Sequence, residues 1–599
     1  MKKHHAPQTW GKPPQPRRTP VQSTGKGAAN TSADAVAKPC TTRGTGAAYG
    51  ISIAGRLSAP LIFVVFSLTL SPWLYNFPLN DDWAYAIGVK NLLEHGRFLL
   101  CDWGASTQLP HLLFGALFAK LFGFSFTVLK TYTLTAAAGT VFVFVKILEE
   151  FEIPPADRIL AALVLALNPF FLVLANSFMT DMTYLFWMML SSYFYIRHLK
   201  YAKPAVLISA GLCAAAACLT RQLGIALPLA YTLILARERK LDLKNMIIVW
   251  LAPITAITGY ALWFKYAHGP TWASENYVFT ATIKYISSPG AFAANVFYRL
   301  FAVMMETGLI LLPLAAGCYF IGARERKKEK NALRDRTSKP FALITMGAGL
   351  TLAALAGFIL LNGPLPYLEN TLSRDGLGTM TLGGAGFKPS AFFSNRYFWY
   401  TLTALAAVSA AILISASSRA FKLGDAAVKF VFISALIHLG ISLTGAKFFD
   451  RYLLTLLPWL ILAALFSVKA LEFSKPAAAL ALVLMAAVSW AGVKDYLQWN
   501  LAKWELAAKP RPGLSPGEIR NGFDYEAWFN YEKNMAYLKT MKPLKLIGEW
   551  EWQQITPYKA MISFAQRDDF TTIDSREYDT PLSSRKAVIY LLQAKEKQR

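Results

Sequence analysis

Two adjacent carboxylates, Asp81 and Asp82, stand in the run Asn80-Asp81-Asp82-Trp83-Ala84-Tyr85, directly after an apolar stretch from Leu57 to Phe77. A third acid, Asp181, closes the run Asn176-Ser177-Phe178-Met179-Thr180-Asp181 in a comparable place. Acids where a helix leaves a bilayer are not expected in hydrocarbon, since an unpaired carboxylate there costs several kcal/mol. Trp83 and Tyr85 point to the interfacial layer rather than open water. Arg221, Arg374, Lys388, Arg396, Lys447 and Arg451 fall at similar boundaries. Carboxylates beside cations at headgroup level suit group transfer from a lipid phosphate. The acid takes a proton from an attacking hydroxyl, and guanidinium and ammonium groups stabilise charge on the departing phosphate. No nucleotide is needed if the lipid carries the activated group. Indeed neither a Walker A motif nor a dinucleotide loop is written here, and the glycine pieces near 376–386 read as loop.

Each residue also has a plainer role. The Asp pair caps the amphipathic helix from Trp83 to His95, and Asp181 caps the span that follows it. Arg221 snorkels to the interface, and Arg451 pairs with Asp450. Glu306, in the middle of an apolar run, is a bundle-interior contact, and His111 is a packing residue. No His/Cys cluster announces a metal, although a divalent ion held by carboxylates stays open.

The elements that position these residues are membrane helices. Of 599 residues, 54% are hydrophobic and 16% charged, against about a quarter charged in soluble proteins. The formal charge of +25 needs no polyanion, because the positive-inside bias concentrates Lys and Arg in cytoplasmic loops; nucleic-acid binding is set aside. The five cysteines form no CxxC site and no disulfide framework. Residues 1–55 read as a disordered basic cytoplasmic tail, too long and polar for a signal peptide. Leu57–Phe77 is the first span. Leu109–Phe122 is too short to cross and reads as interfacial or re-entrant. Further spans are expected near 126–148, 159–178, 182–197, 204–220, 222–236, 246–264, 297–321, 341–361, 397–416, 427–444, 451–468 and 476–493. That makes about 13, with nearly every basic cluster on the cytoplasmic side. Asp81, Asp82, Asp181, Arg221, the loops 265–295 and 362–396, Lys447, Arg451 and the C-terminal part then share the outer face. Residues 494–599 regain charge and read as a small α+β extramembrane domain. Its elements are a helix over Trp499–Ala507 and strands over Leu544–Trp550, Ala560–Phe564 and Ala587–Leu592.

The Asn80–Tyr85 run with Leu93-Glu94-His95-Gly96, the Asn176–Asp181 run, Leu219-Thr220-Arg221-Gln222-Leu223-Gly224, and Arg451-Tyr452 ahead of Leu457-Pro458 carry a resemblance. Over about 57–493 the chain resembles family 39 glycosyltransferases: the protein O-mannosyltransferases and the aminoarabinose transferases of lipid A, within the C-type (GT-C) membrane glycosyltransferases. The run Gly522-Phe523-Asp524-Tyr525-Glu526-Ala527-Trp528 resembles a tail of bacterial members. The resemblance implies an all-α polytopic GT-C fold, a polyprenyl- or dolichyl-phosphate sugar donor and transfer with inversion. It implies a base at Asp81, with Asp82 beside it where many members have Glu, and a second-loop acid at Asp181. Some members place a Lys where this chain has Gln108 and His111, so that contact is not carried over. The expectation is an inner-membrane enzyme in which Asp82 and Asp181 orient the acceptor or a metal and Arg221, Arg396, Arg451 and Lys447 hold the donor phosphate. A lipid flippase or a diphosphate-dependent oligosaccharide ligase are the alternatives.

Overall fold

The computed structural model describes residues 53–278, 283, 285–317, 338–382, 395–445, 447–468, 474–581 and 586–595. The tail expected over 1–55 lies outside them except for its end, which opens the helix Ile53–Leu68, and Lys388 lies outside them too.

The expected count of about 13 membrane spans is overturned. Among the described residues five helices are long and apolar enough to cross a bilayer: Phe126–Glu150, Leu243–His268, Arg396–Ile414, Ala426–Thr444 and Lys475–Ala508. A sixth span counts if Pro155–Ala166 and Pro169–Ala175, bent by 65° at their break, are taken together. The apolar runs behind the other expected spans are interrupted. Leu109–Phe122 has the 14 residues of a segment not expected to cross, and Ile53–Leu68, Pro204–Thr220 and Gln222–Arg237 each reach at most 17. At 1.5 Å per residue that is about 25 Å, short of the roughly 30 Å hydrocarbon core. The stops are written locally: Ser71 adopts a left-handed backbone after the first helix, and the turn Gln222–Ile225 follows Arg221. Thr180–Tyr201 has 22 residues but carries Asp181, Thr183, Ser191 and Ser192 among its buried positions. Composition counts apolar residues; length without a break decides spanning.

Most of the helices pack into one large core, with Phe63 against Phe171 at 5.3 Å and Tyr195 stacked on Tyr231 at 4.5 Å, and a second buried cluster joins Trp83 and Ile87 to Tyr531, Met535 and Trp552. A short hairpin, β1 (Leu372–Ser373) and β2 (Gly376–Leu377), rests on Gly492 of the long helix Lys475–Ala508, where a Cβ would meet Leu377 at 2.6 Å. Beyond that helix lies the α+β region: the helix Phe523–Met541 and a four-stranded sheet of β3 (Ile519–Arg520), β4 (Ala560–Ser563), β5 (Phe570–Tyr578) and β6 (Ala587–Ala594), in the order β3-β4-β6-β5. Only the β3–β4 pairing is parallel. Two of the expected strands are present. Leu544–Trp550 instead holds a 3-10 turn, Leu544–Leu546, closed by Pro543, and β5 is a strand that its alternating charges hid. The sheet is fixed to the membrane helix by Trp499 against Phe564 at 5.5 Å. A fully buried ion pair, Lys503 Nζ to Asp524 Oδ1 at 2.6 Å, secures the following helix.

Candidate active site

Asp81 occupies the N-cap position of the helix Asp82–His95, yet its side chain makes no capping bond. The carboxylate turns outward instead. Its Oδ1 accepts a hydrogen bond from Trp103 Nε1 at 2.9 Å, and its Oδ2 lies 3.5 Å from Arg451 Nη1. The capping role is positional, and the charge is spent elsewhere. Asp82 points the other way. It is fully buried, its Oδ2 accepts the Leu79 N–H at 3.1 Å, and its Oδ1 has no hydrogen-bond partner. Burial pushes its pKa up to about 7, against the partial opposition of the Lys130 charge and nearby N–H groups.

Arg451 stands on the 3-10 turn Asp450–Thr455. It does not pair with Asp450, whose carboxylate accepts the backbone N–H groups of Asn370, Thr371 and Leu372 at 2.6–3.3 Å. Asp450 thereby ties the loop after Asn362 to the corner that carries Arg451. The Arg451 guanidinium lies 5.5 Å from the Phe449 ring and 5.7 Å from Tyr452. Its Nε and Nη1 are buried without a hydrogen-bond acceptor. Burial works against its charge, but Tyr452, Asp181 and Asp81 around it hold its proton more firmly than usual.

Asp181 lies in the first turn of Thr180–Tyr201, whose cap is Met179. It is 3% exposed and meets Arg221 Nη2 at 2.6 Å, while Arg221 Nε donates to Thr180 Oγ1 at 2.9 Å. Arg221 is therefore anchored rather than snorkelling. Its backbone is extended, where the chain leaves the helix Pro204–Thr220.

These groups surround one cavity of about 680 Å³. Asn80, Asp81, Tyr85, Trp103, Ser106, Arg221, Asn370, Lys447, Arg451 and Tyr452 line it, with Phe523, Glu549 and Trp550 from the C-terminal region. Burial pushes the Tyr85 phenol up to about 12. Lys447 Nζ bonds Glu549 Oε1 at 2.9 Å across it. Ser106 Oγ and Asn370 Oδ1 are buried there without a partner. Of the expected residues, the structure brings together Asp81, Arg221, Lys447 and Arg451, with Asp181 one layer behind Arg221. Asp82 and Arg396 are not brought in: Arg396 is exposed, 5.2 Å from the Tyr397 ring. Arg374 bonds the Pro364 carbonyl at 2.7 Å. Glu306 accepts the N–H groups of Tyr367 and Leu368 at 3.0 and 2.9 Å, the interior contact expected of it. His111 is buried between Thr183 Oγ1 and the Phe178 carbonyl, a packing role.

Sequence reasoning assigned no role to Trp103, Ser106, Asn370, Glu549 or Trp550. A tryptophan at the second interfacial run, Cys101-Asp102-Trp103, is the single visible signal among them; the others enter by tertiary contact. As for a divalent ion, the carboxylates here face guanidinium and indole donors. Among the described residues no three His, Cys, Asp or Glu side chains converge into a donor set for one.

Taken together, the long apolar helices and the cavity lined by charged and aromatic side chains define a multi-pass membrane protein with a charged cavity. The chain is similar to a crystal structure of ArnT from Cupriavidus metallidurans bound to undecaprenyl phosphate, at 13% identity and TM-score 0.36, over 90% of this chain and 98% of that one. It is similar to the oligosaccharyltransferase AglB from Archaeoglobus fulgidus in complex with an inhibitory peptide and a dolichol-phosphate, at 15% identity and TM-score 0.41, over 85% and 69%. A third similarity, at 12% identity and TM-score 0.28 over 38% and 37%, is to the Saccharomyces cerevisiae protein O-mannosyltransferase Pmt1-Pmt2 complex bound to the sugar donor. No family model matches the chain, and no curated protein matches it.

Proposed function

We propose that this chain is a GT-C-type membrane glycosyltransferase that moves a sugar from a polyprenyl-phosphate donor to an acceptor on the outer face of the cell's inner (plasma) membrane. The observation that carries the reading is the pairing of Asp81 with Arg451. A carboxylate held by Trp103 stands 3.5 Å from Arg451 Nη1, and the buried Nε of the same guanidinium has no hydrogen-bond acceptor, in a cavity that two further cations line. A base and an anion holder in one enclosure are what displacement at a glycosyl phosphate requires. The sequence resemblance to family 39 supports the donor class.

In this reading the donor phosphate lies against Arg451, Arg221 and Lys447. Asp81 accepts the proton of the acceptor hydroxyl as that oxygen bonds to the anomeric carbon. The bond between that carbon and the phosphate oxygen breaks, and its electron pair leaves on the polyprenyl phosphate. Attack opposite the leaving group inverts the anomeric configuration. Asp181 acts through Arg221, whose fork it holds. In this reading the basic N-terminal segment is cytoplasmic, in keeping with the positive-inside bias, and the cavity and residues 494–599 face outward.

The test uses the purified chain in detergent with polyprenyl-phosphate-linked sugars and oligosaccharide, glycolipid or peptide acceptors, reading release of the polyprenyl phosphate. Asp81→Asn should lower turnover by about 10²–10⁴-fold, the usual contribution of a positioned base, while the protein remains folded. Retention of most activity rejects the assignment. Micelles offer no second compartment, so turnover there also argues against a flippase. A diphosphate-linked donor consumed in preference to the monophosphate points to a ligase.

A further inference from the structure

The cavity has two chemically different walls. One carries the cations. The other is aromatic: Trp103, whose Nε1 donates to Asp81, with Phe523 and Trp550, their ring centroids 5.3–5.5 Å apart. Trp103 is held from behind by Trp272, stacked at 5.5 Å and 6°, and Trp272 Nε1 donates to the Ile547 carbonyl at 2.8 Å. The segment carrying Trp550 is thus tied to the stack behind Trp103, and Glu549 ties it to Lys447 as well. Phe523 is fixed by its own backbone: its N–H donates to the Thr381 carbonyl at 3.1 Å, and Gly522, at φ +85°, approaches that carbonyl more closely than a Cβ permits. Yet Trp550 is 47% exposed, a large apolar face left open beside charged groups.

Exposed aromatic rings that are rigidly held and rimmed by polar atoms recognise a ligand with an apolar face and a hydroxyl edge, since such rings gain by stacking and their neighbours by hydrogen bonding. A pyranose ring is built that way. Ser106 Oγ and Asn370 Oδ1, buried in the same cavity without partners, are suited to its hydroxyls. A second cavity of about 380 Å³ abuts the first through their shared lining residues Thr381 and Phe523, and Arg520, Glu526 and Gln553 continue it. That adds room beyond one ring.

We propose that the Trp103–Phe523–Trp550 wall is a carbohydrate subsite, and that the acceptor is a glycan whose attacking sugar stacks there with its hydroxyl at Asp81, the remainder extending toward the second cavity. The subsite rests on the glycosyltransferase reading for its role, but ring binding is measured without turnover, so the two fail separately. Trp103 Nε1 holds the Asp81 carboxylate at 2.9 Å, so a ring stacked beside Trp103 brings its hydroxyl to the group that takes the proton.

The probe is saturation-transfer NMR on the full-length protein in detergent with cellotriose, mannotriose and chitotriose, each tested singly, and a Ser/Thr-rich decapeptide as comparator. At least one trisaccharide should show saturation of its ring protons. The signal should fall at least fivefold in Trp550→Leu and return in Trp550→Phe, with unfolding temperatures of all three proteins compared to establish folding. Phe523→Leu, placed at the junction of the cavities, should weaken the same signal. Absence of ring saturation on the unaltered protein overturns the proposal. So does a signal indifferent to Trp550, or Trp550-dependent saturation of the peptide instead. If Trp550→Leu impairs only reconstitution into liposomes, the ring is an interfacial anchor and the proposal falls. Donor turnover with its Asp81→Asn control is run beside it and reports the functional reading alone.

Discussion

Asp82→Asn should separate two neighbouring carboxylates that a sequence treats as a pair. The folded protein holds Asp82 fully buried, and its pKa is displaced from 3.8 to about 7 by burial. A folded pKa above the unfolded one means that the folded state binds the proton more tightly, so the stability from the neutral carboxyl is full below about pH 4. It is lost as pH rises through about 7. Across that window each pH unit is worth at most about 1.4 kcal/mol, shared with the Lys130 ammonium that titrates together with this carboxyl. Asn cannot ionise and keeps an oxygen for the Leu79 N–H. Its amide adds a donor where Asp82 Oδ1 has no partner, a pH-independent cost of about 1–3 kcal/mol. Between pH 5.5 and 7 the stability of Asp82→Asn relative to the unaltered protein should therefore improve, by up to about 2 kcal/mol. Unfolding followed by tryptophan fluorescence at several pH values reads this. Donor turnover should stay within about threefold, since Asp82 does not line the cavity. A stability difference that ignores pH, or a loss of turnover matching Asp81→Asn, refutes the reasoning.

Removing Arg221 alone leaves Asp181 buried and unpaired. Arg221→Ala should destabilise by about 3–5 kcal/mol, and adding Asp181→Asn should recover a large part; additive losses in a double-mutant cycle would contradict the pairing. Arg451→Lys keeps the charge but not the forked donors, so donor turnover should fall about 10- to 100-fold, the worth of one charge-assisted bond; unchanged turnover argues against phosphate contact. Lys447→Ala should alter stability by less than about 1 kcal/mol, because its ion pair is partly exposed, while raising KM for the donor; an unaltered KM removes Lys447 from the phosphate site.

Much of the site was legible because its residues sit at boundaries. The switch from an apolar run to Asn80-Asp81-Asp82 marks the start of a helix beside a membrane, and Thr220-Arg221 and Asp450-Arg451 mark similar corners. What failed was direction and continuity. Asp81 and Asp82 differ by one residue, about 100° around a helix. That rotation sends one carboxylate to the cavity and the other into the core, a choice made by which neighbours pack there. Arg396 reads like Arg451 in composition, yet no element folds its side chain inward. The helix count failed because proline, glycine and short 3-10 turns divide apolar runs that composition joins.

The amino-acid sequence by itself determined that this chain belongs in a membrane and which residue types stand ready for phosphate and proton chemistry, since hydrophobicity and charge are properties of residues one at a time. Tertiary structure alone decided that Asp81, Arg221, Lys447 and Arg451 share an enclosure, and that Trp550, over 460 positions from Asp81 in the chain, helps to wall it. Contact between distant segments depends on how whole helices cross and pack, and no local pattern records it.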